Sequence, residues 1–502
     1  MKRSARIMLG VPIDSLSMEE AVERIFLLVD EYRADGRPRL VCTVNTDFIV
    51  NTLRWSLHRS RHPELLGIMR EADLVTADGM PVVWASRFLG PPIRERVTGA
   101  DLVPVLAREA AGRGKSIYFL GGNAGSAAKA ATVLGRLHPD LNIAGWDPTY
   151  VHTVGPELVH ADEYDQGIID RINASRADIL LIAFGNPKQE IWFMLNRHRL
   201  MVPVSIGIGG TYDFISGSIP RAPLWMREYG LEWLFRFTQD PKRLWKRYLV
   251  DFAKFGLLVW PSVLLHQYMK MMILGGEAGE RKGSGSCTAE IGGNRKVSTL
   301  VLPAIVDGET VSGMAERLSE RPSSDLILDA SNTAFVDSAG LAFIMGLLVL
   351  WERHGYQVLL VGMSGTLRWS LFCNRLGDLF EKRHCRTVHE ARARLDEGPV
   401  KREFRVEHRD AGNTGSIRVS GDLRHVRSSS ADAASLVSMV YQESCTIDLS
   451  GCTSVDTSGI IFLLKLRGAL VRRGKRFTFT GITGDVKQMI KVTQVESLLM
   501  GP

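Results

Sequence analysis

Apolar and polar positions alternate in blocks through the first half of the chain. Apolar runs of strand length occur at Ile7–Val11, Leu40–Val44, Leu74–Ala77, Ser116–Leu120, Ile179–Phe184 and Val204–Gly210. Helical periodicity lies between them. Ser17-Met18-Glu19-Glu20 has the form of a capping box, and Met18, Ala21, Val22, Ile25, Leu28 and Val29 then share one helical face. This alternation of buried strand and helix predicts an α/β domain ending near residue 270. Polar or glycine-rich clusters close the strands: Thr43-Val44-Asn45, Asp78-Gly79-Met80-Pro81, Gly121-Gly122-Asn123 and Gly185–Gln189. Open α/β sheets place their ligands at such C-terminal ends.

The pattern changes twice after residue 270. Gly275–Lys296 is rich in glycine and charge without an apolar period, and a charged, weakly patterned stretch covers about 396–415. Both read as linkers, giving a division into 1–270, a linker 271–296, a module 297–395, a linker 396–415 and a module 416–502. The two modules are an internal repeat. Asp329, Asp337, Gly340, Gly355, Gly362 and Gly365 recur, at one constant interval, as Asp448, Asp456, Gly459, Gly474, Gly481 and Gly484. Each copy reads as strand, short loop, apolar helix and strand, a small α/β unit.

Composition narrows the class. Charged residues at 23% and hydrophobic residues at 45% describe a globular protein, and 502 residues allow several cores. A net charge of +7 suits anionic partners. No apolar core follows Met1-Lys2-Arg3, which argues against a secretory signal and for a cytoplasmic location. The longest apolar runs, Gly256–Leu265 with Pro261 inside it and Leu341–Trp351, fall short of the roughly 20 residues that span a bilayer. The six cysteines form no CxxC pair and read as reduced thiols.

Candidate chemistry gathers at the strand ends. A strand feeding a helix start, as at Ile179–Phe184 with Gly185–Gln189, offers free N–H groups and a positive dipole end to phosphate. With the glycines of Val204–Gly210 beside it, this suits a nucleotide-sugar pocket. Asp78 has the position of a general base towards a sugar hydroxyl, or of a helix cap. Thr43 and Asn45 suit either ligand hydrogen bonds or an Asx turn. Arg96 suits a phosphate or an ion pair, and Gln189 a ligand or a cap. Over 221–254, Arg221, Arg227, Arg236, Lys242, Arg243, Lys246, Arg247 and Lys254 outnumber Glu228, Glu232, Asp240 and Asp251, with Trp225, Trp233 and Trp245 among them. Basic residues and tryptophans along helices favour a membrane surface over nucleic acid. The chain has no Asp-x-Asp pair, P-loop, GxGxxG or HExxH, so no metal or cofactor site is expected.

Residues 1 to about 260 resemble the WecG/TagA/CpsF glycosyltransferases (family 26). The resemblance is carried by TVN at Thr43–Asn45, ADGMPVVW at Ala77–Trp84, RVTGADL at Arg96–Leu102 and YFLGG at Tyr118–Gly122. It continues through FGNPKQE at Phe184–Glu190, GGTYDFISG at Gly209–Gly217, RAPLWM at Arg221–Met226 and LEWLFRF with DPKRLWKRY up to Tyr248. It implies a Rossmann-like domain with a helical C-terminal appendage at about 221–270. The implied activity is metal-independent, inverting transfer from a UDP-sugar to a polyprenyl-diphosphate-linked acceptor, at the inner membrane face, in surface polysaccharide synthesis. By the resemblance Asp78 is the base and Thr43, Asn45, Arg96, Gln189 and Asp213 belong to the pocket. Arg236, Arg243, Lys246 and Arg247 would close over the acceptor diphosphate. Val44 stands where many relatives have proline, Lys246 where arginine is frequent, and Pro81 where some have glycine.

The repeats resemble STAS domains, whose Asp-Ser-Ser-Gly loop carries a phosphorylated hydroxyl. Here Asp337-Ser338-Ala339-Gly340 and Asp456-Thr457-Ser458-Gly459 put Ser338 and Thr457 at that position. This implies a protein partner or kinase, with a homo-oligomer compatible, or else plain helix caps in docking modules. The expectation is a glycosyltransferase with regulatory modules. The contrasting one is a phospho-regulated STAS binding protein with an inactive transferase domain.

Overall fold

A computed structural model describes residues 4–52, 54–56, 59–60, 62–239, 241–274, 286–292, 295–318, 322–397, 404–411, 414–426 and 430–500. The chain opens with an antiparallel hairpin of β1 (Ala5–Met8) and β2 (Val11–Asp14). Helix α1 (Met18–Asp35) follows. Its Ser17 and Glu20 form the expected capping box, and it ends at Gly36 in the left-handed region, φ 63°. Six strands then build one sheet: β3 (Arg39–Val44), β4 (Leu74–Ala77), β5 (Ser116–Gly121), β6 (Asn142–Asp147), β7 (Ile179–Ala183) and β8 (Val204–Gly207). Their spatial order is β4-β3-β8-β7-β5-β6, with every neighbouring pair parallel.

A parallel sheet is covered on both faces, so its strands are apolar at successive positions. Leu40, Cys42, Val44, Leu180 and Ile182 face one core, while Val41, Leu181, Val204 and Ile206 face the other. The shared direction brings the polar clusters after β3, β4, β5, β7 and β8 to one edge. Helix α2 (Leu65–Glu71) feeds β4 from the opposite edge, whereas α3 (Met80–Ser86) leaves β4 and α4 (Lys188–Asn196) follows β7 at this one.

The appendage consists mainly of α5 (Glu232–Gln239) and α6 (Pro241–Leu274). Pro261 lies inside α6, and the helix continues through residues assigned to the linker. Leu249–Met272 is long and apolar enough to cross a membrane by length and composition, though 28% of its most apolar window is buried in the protein. The sequence obscured this because Asp251, Lys254, His266, Gln267 and Lys270 interrupt the apolar run. On a helix they leave two continuous apolar faces. Phe255, Val259 and Val263 pack into the N-terminal core, whereas Leu257, Trp260, Leu264 and Tyr268 are exposed.

The repeat folds as two small α/β modules. In the first, β9 (Ser286–Gly292), β10 (Arg295–Val301), β11 (Asp325–Asp329), β12 (Val358–Val361) and β13 (His384–Cys385) stand in sequence order, antiparallel at the first pair and parallel after it. In the second, β14 (Arg405–Ala411), β15 (Thr414–Leu423), β16 (Ser444–Val455) and β17 (Arg476–Thr480) repeat that arrangement. The apolar helices are α7 (Ser338–Arg353) and α8 (Thr457–Arg472), capped by Asp337 and Asp456. Strands β9 and β14 lie within the stretches read as linkers. They are edge strands, joined by antiparallel ladders to β10 and β15. Both modules share core with the N-terminal domain: Ala5 and Ile7 of β1 join the first, and Leu158 and Ala161 the second.

Candidate active site

Two neighbouring regions occupy the C-terminal edge of the large sheet. Beyond β5, β7 and β8 lies a cavity of ≈ 300 Å³ lined by Gly122, Asn123, Tyr150, Gly185, Lys188, Gly209 and Asp213, among others. The helix Ser126–Leu137 and α4 begin at its wall, and the first has no side-chain cap. Their N–H groups and Lys188 make the cavity suited to an anion. Lys188 packs over the Tyr150 ring at 4.3 Å. Asp213 lines this cavity and accepts a hydrogen bond from Asn123 Nδ2 at 2.7 Å.

Gln189 holds the cavity's turns together. It is buried, its Oε1 accepts from the N–H groups of Gly185 and Gly209 at 3.2 Å each, and its Nε2 donates to Glu190 Oε1 at 2.7 Å. A Cβ at Gly207 would lie 2.6 Å from Gln189 Nε2, so β8 must end in glycine for Gln189 to reach across. The Glu190 carboxyl is fully buried, and burial pushes it up to about 7.

Asp78 follows β4 on the other side of β3, where its N–H donates to Val44 O at 2.8 Å. Thr43 Oγ1 donates to Gly207 O at 3.0 Å, and Asn45 Oδ1 accepts from Phe48 N–H at 3.2 Å, in the Asx geometry that starts the helix Thr46–Thr52. Both side chains have these bonds made inside the protein. Burial pushes the Asp78 carboxyl up to about 7, although Arg236 and Arg96 oppose the rise; Glu232 and Asp101 add to it. A carboxyl of that acidity can take a proton from a hydroxyl near neutral pH.

The arginines at this cleft are tied by two acids that the sequence reading did not single out. Glu232 of α5 pairs with Arg96 at 3.0 Å and with Arg236 at 3.1 Å, and Asp101 pairs with Arg221 at 2.8 Å and Arg96 at 3.6 Å. Arg236 also lies over the Phe214 ring at 4.6 Å. Arg96 is therefore the ion pair that docks the appendage. Glu232 could have been suspected as the acid of the LEWLFRF segment, one helical turn from Arg236. Arg243, Lys246 and Arg247 lie in α6, with side chains outside the described residues. Among the described residues, no group of three or more His, Cys, Asp or Glu is arranged to hold a metal ion.

Residues 6–268, more than half of the chain, match the model of the "Glycosyl transferase WecG/TagA/CpsF family". The chain belongs to the WecG/TagA/CpsF glycosyltransferases. Residues 289–391 match the STAS domain and 406–500 a second description, "Mlab, STAS domain". An N-acetylglucosaminyldiphosphoundecaprenol N-acetyl-beta-D-mannosaminyltransferase of Bacillus spizizenii is 31% identical over 189 residues, 38% of this chain and 69% of that protein. One of the same name from Staphylococcus aureus is 27% identical over 236 residues, 47% of this chain and 85% of that protein. A solved murine Solute Carrier 26 family member A9 anion transporter overlaps 39% of this chain at 15% identity, and its TM-score of 0.20 carries no argument.

The remaining sequence-predicted residues of this glycosyltransferase, Ser338 and Thr457, lie away from the cleft at the starts of α7 and α8. Both are buried against the transferase domain. Ser338 N–H donates to Leu89 O at 3.2 Å, three residues beyond α3, and its Oγ is buried without a hydrogen-bond partner among the described residues. Thr457 N–H and Oγ1 donate to the two oxygens of Glu64, just before α2, at 2.9 and 2.5 Å.

Proposed function

We propose that the chain transfers a sugar from a UDP-sugar to a polyprenyl-diphosphate-linked acceptor, with Asp78 as general base. The observation that carries this reading is the position of Asp78 after β4, on the sheet edge that also bears the anion-suited cavity, with Arg236 and Arg96 near enough to oppose the rise of its carboxyl to about 7. The donor's diphosphate would lie at the helix starts and Lys188. Asp78 would accept the acceptor hydroxyl's proton as that oxygen attacks the sugar C1 and the C1–O bond to UDP breaks, inverting the centre. N–H groups and cations would stabilise the leaving diphosphate without a metal. The names of the relatives favour N-acetylmannosamine as the sugar and N-acetylglucosaminyl-diphosphoundecaprenol as the acceptor.

A lipid-linked acceptor requires the enzyme to work at a membrane surface. The exposed apolar stripe of α6, with Trp225 and Tyr229 nearby in the chain, suits peripheral attachment, because the opposite face of α6 is committed to the protein core. Product formation from a panel of UDP-sugars, with a short-chain diphosphate-linked acceptor and EDTA, tests the reading. Transfer by the wild type and its loss by about 10²–10⁴-fold in Asp78→Asn are expected. Transfer that survives Asp78→Asn, or that EDTA abolishes, would overturn the assignment.

A further inference from the structure

The first STAS module packs against α6 through its helix Gly365–Cys373. Ser262 of α6 donates to Cys373 O at 3.0 Å, and Leu265, His266 and Met269 of α6 line one cavity together with Thr366, Ser370 and Asn374 of the module. The module helix buries Leu367 and Leu371 in the first module's core. Trp369 and Phe372, on its other side, are 61% and 60% exposed and meet edge to face, with ring centroids 5.7 Å apart. On α6, the exposed Leu264 and Tyr268 adjoin Leu265 and Met269 of the helix contact. Gln267 Nε2 donates to Phe88 O at 3.1 Å, which holds this part of α6 to the loop after α3.

We infer that the first STAS module is a second membrane contact of this chain, its Trp369 and Phe372 entering the interface of an anionic bilayer beside the apolar stripe of α6. The inference rests on the membrane attachment read from α6 above. Two large rings side by side in water form an apolar patch of the kind that marks an interaction surface. Continuity with the α6 stripe and the charge around the patch point to lipid. Arg368 and Arg375 are exposed beside the pair, and residues 365–376 carry no acid. Lys270 is exposed on α6, and the next acid along the module, Asp378, pairs with Arg70 of the transferase domain at 3.4 Å. Cations around buried rings are the arrangement that anionic headgroups attract. Two contacts on one folded chain bind more tightly than either alone, because the second is made within the same molecule. They also fix the tilt of the large sheet against the bilayer.

Cosedimentation of the full chain with phosphatidylcholine vesicles, with and without phosphatidylglycerol, tests this. Trp369→Ser/Phe372→Ser should lower partition onto the anionic vesicles on the order of tenfold, at an unchanged urea midpoint because both side chains are exposed. Arg368→Glu should lower partition only where phosphatidylglycerol is present. Hydrogen exchange over residues 365–373 of the wild type should slow on the vesicles. If the aromatic variant partitions as wild type while Trp260→Glu/Leu264→Glu does not, the inference falls and attachment through α6 stands. If the wild type partitions onto neither vesicle, both fall. A wild-type dimer that the aromatic variant dissociates, with vesicle binding unchanged, would give the patch to a second copy of the chain and overturn the inference.

Discussion

The base role proposed for Asp78 needs the ionised carboxyl, and burial holds that carboxyl up to about 7. The pH profile of kcat/KM should therefore have an acid limb with a midpoint near 7, activity rising as pH rises through it. Glu232 contributes to that elevation, so Glu232→Gln should move the limb to lower pH. A limb that stays in place would separate it from Asp78. Glu190 tests the same physics through stability. Its folded carboxyl is raised from 4.5 to about 7, so between those values the native state binds more protons than the unfolded chain, and stability falls as pH rises. The full loss is on the order of 3 kcal/mol. Glu190→Gln should remove that part of the slope, seen as urea midpoints at pH 5 and 7.5 that differ less than those of wild type.

At the scale of elements, α6 combines two roles on opposite faces. Phe255, Val259 and Val263 anchor it, and the exposed Leu257, Trp260, Leu264 and Tyr268 lie one or two turns apart along its outer side. The double variant Trp260→Glu/Leu264→Glu should reduce cosedimentation with anionic vesicles, while transfer to a short-chain, water-soluble acceptor stays within about twofold of wild type. Equal loss of both activities would place the stripe inside the fold rather than on a lipid surface. The appendage is docked by Glu232, an acid within the basic stretch, and by Asp101 of the helix Gly99–Gly112. A charge count along the segment therefore reported only its excess, and left out the pairs that orient it.

At the scale of the whole molecule, the accessory modules touch the transferase at Leu89 and along Glu64–Asp73, the segment that enters β4 at its N-terminal end. Gly90 sits at the first contact, with φ +137°, and a Cβ there would stand 3.1 Å from both Asp337 Oδ2 and Ser338 Oγ. Gly90→Ala should loosen the first module, seen as faster exchange at the start of α7 with the second module unaffected. An unchanged α7 would show that this contact yields without cost. The grip on Glu64–Asp73 joins residues far apart in the chain, and no periodicity or spacing announces it.

Much of the fold was legible because each local pattern has one economical solution. Apolar runs alternating with amphipathic helices make a covered parallel sheet, and the repeated Asp-x-x-Gly loops make two capped modules. Asp78 and the glycine turns were legible for the same reason, since strand ends of a parallel sheet share an edge. Tertiary structure decided which polar groups are committed inside the protein: Gln189 to two glycine turns, Arg96 to Glu232, Thr457 to Glu64. It also decided that Pro261 does not end α6 and that polar β9 and β14 are strands. Sequence pattern reports what a segment must bury. The partner that buries it, and the acidity a carboxyl acquires there, depend on residues brought together only by folding.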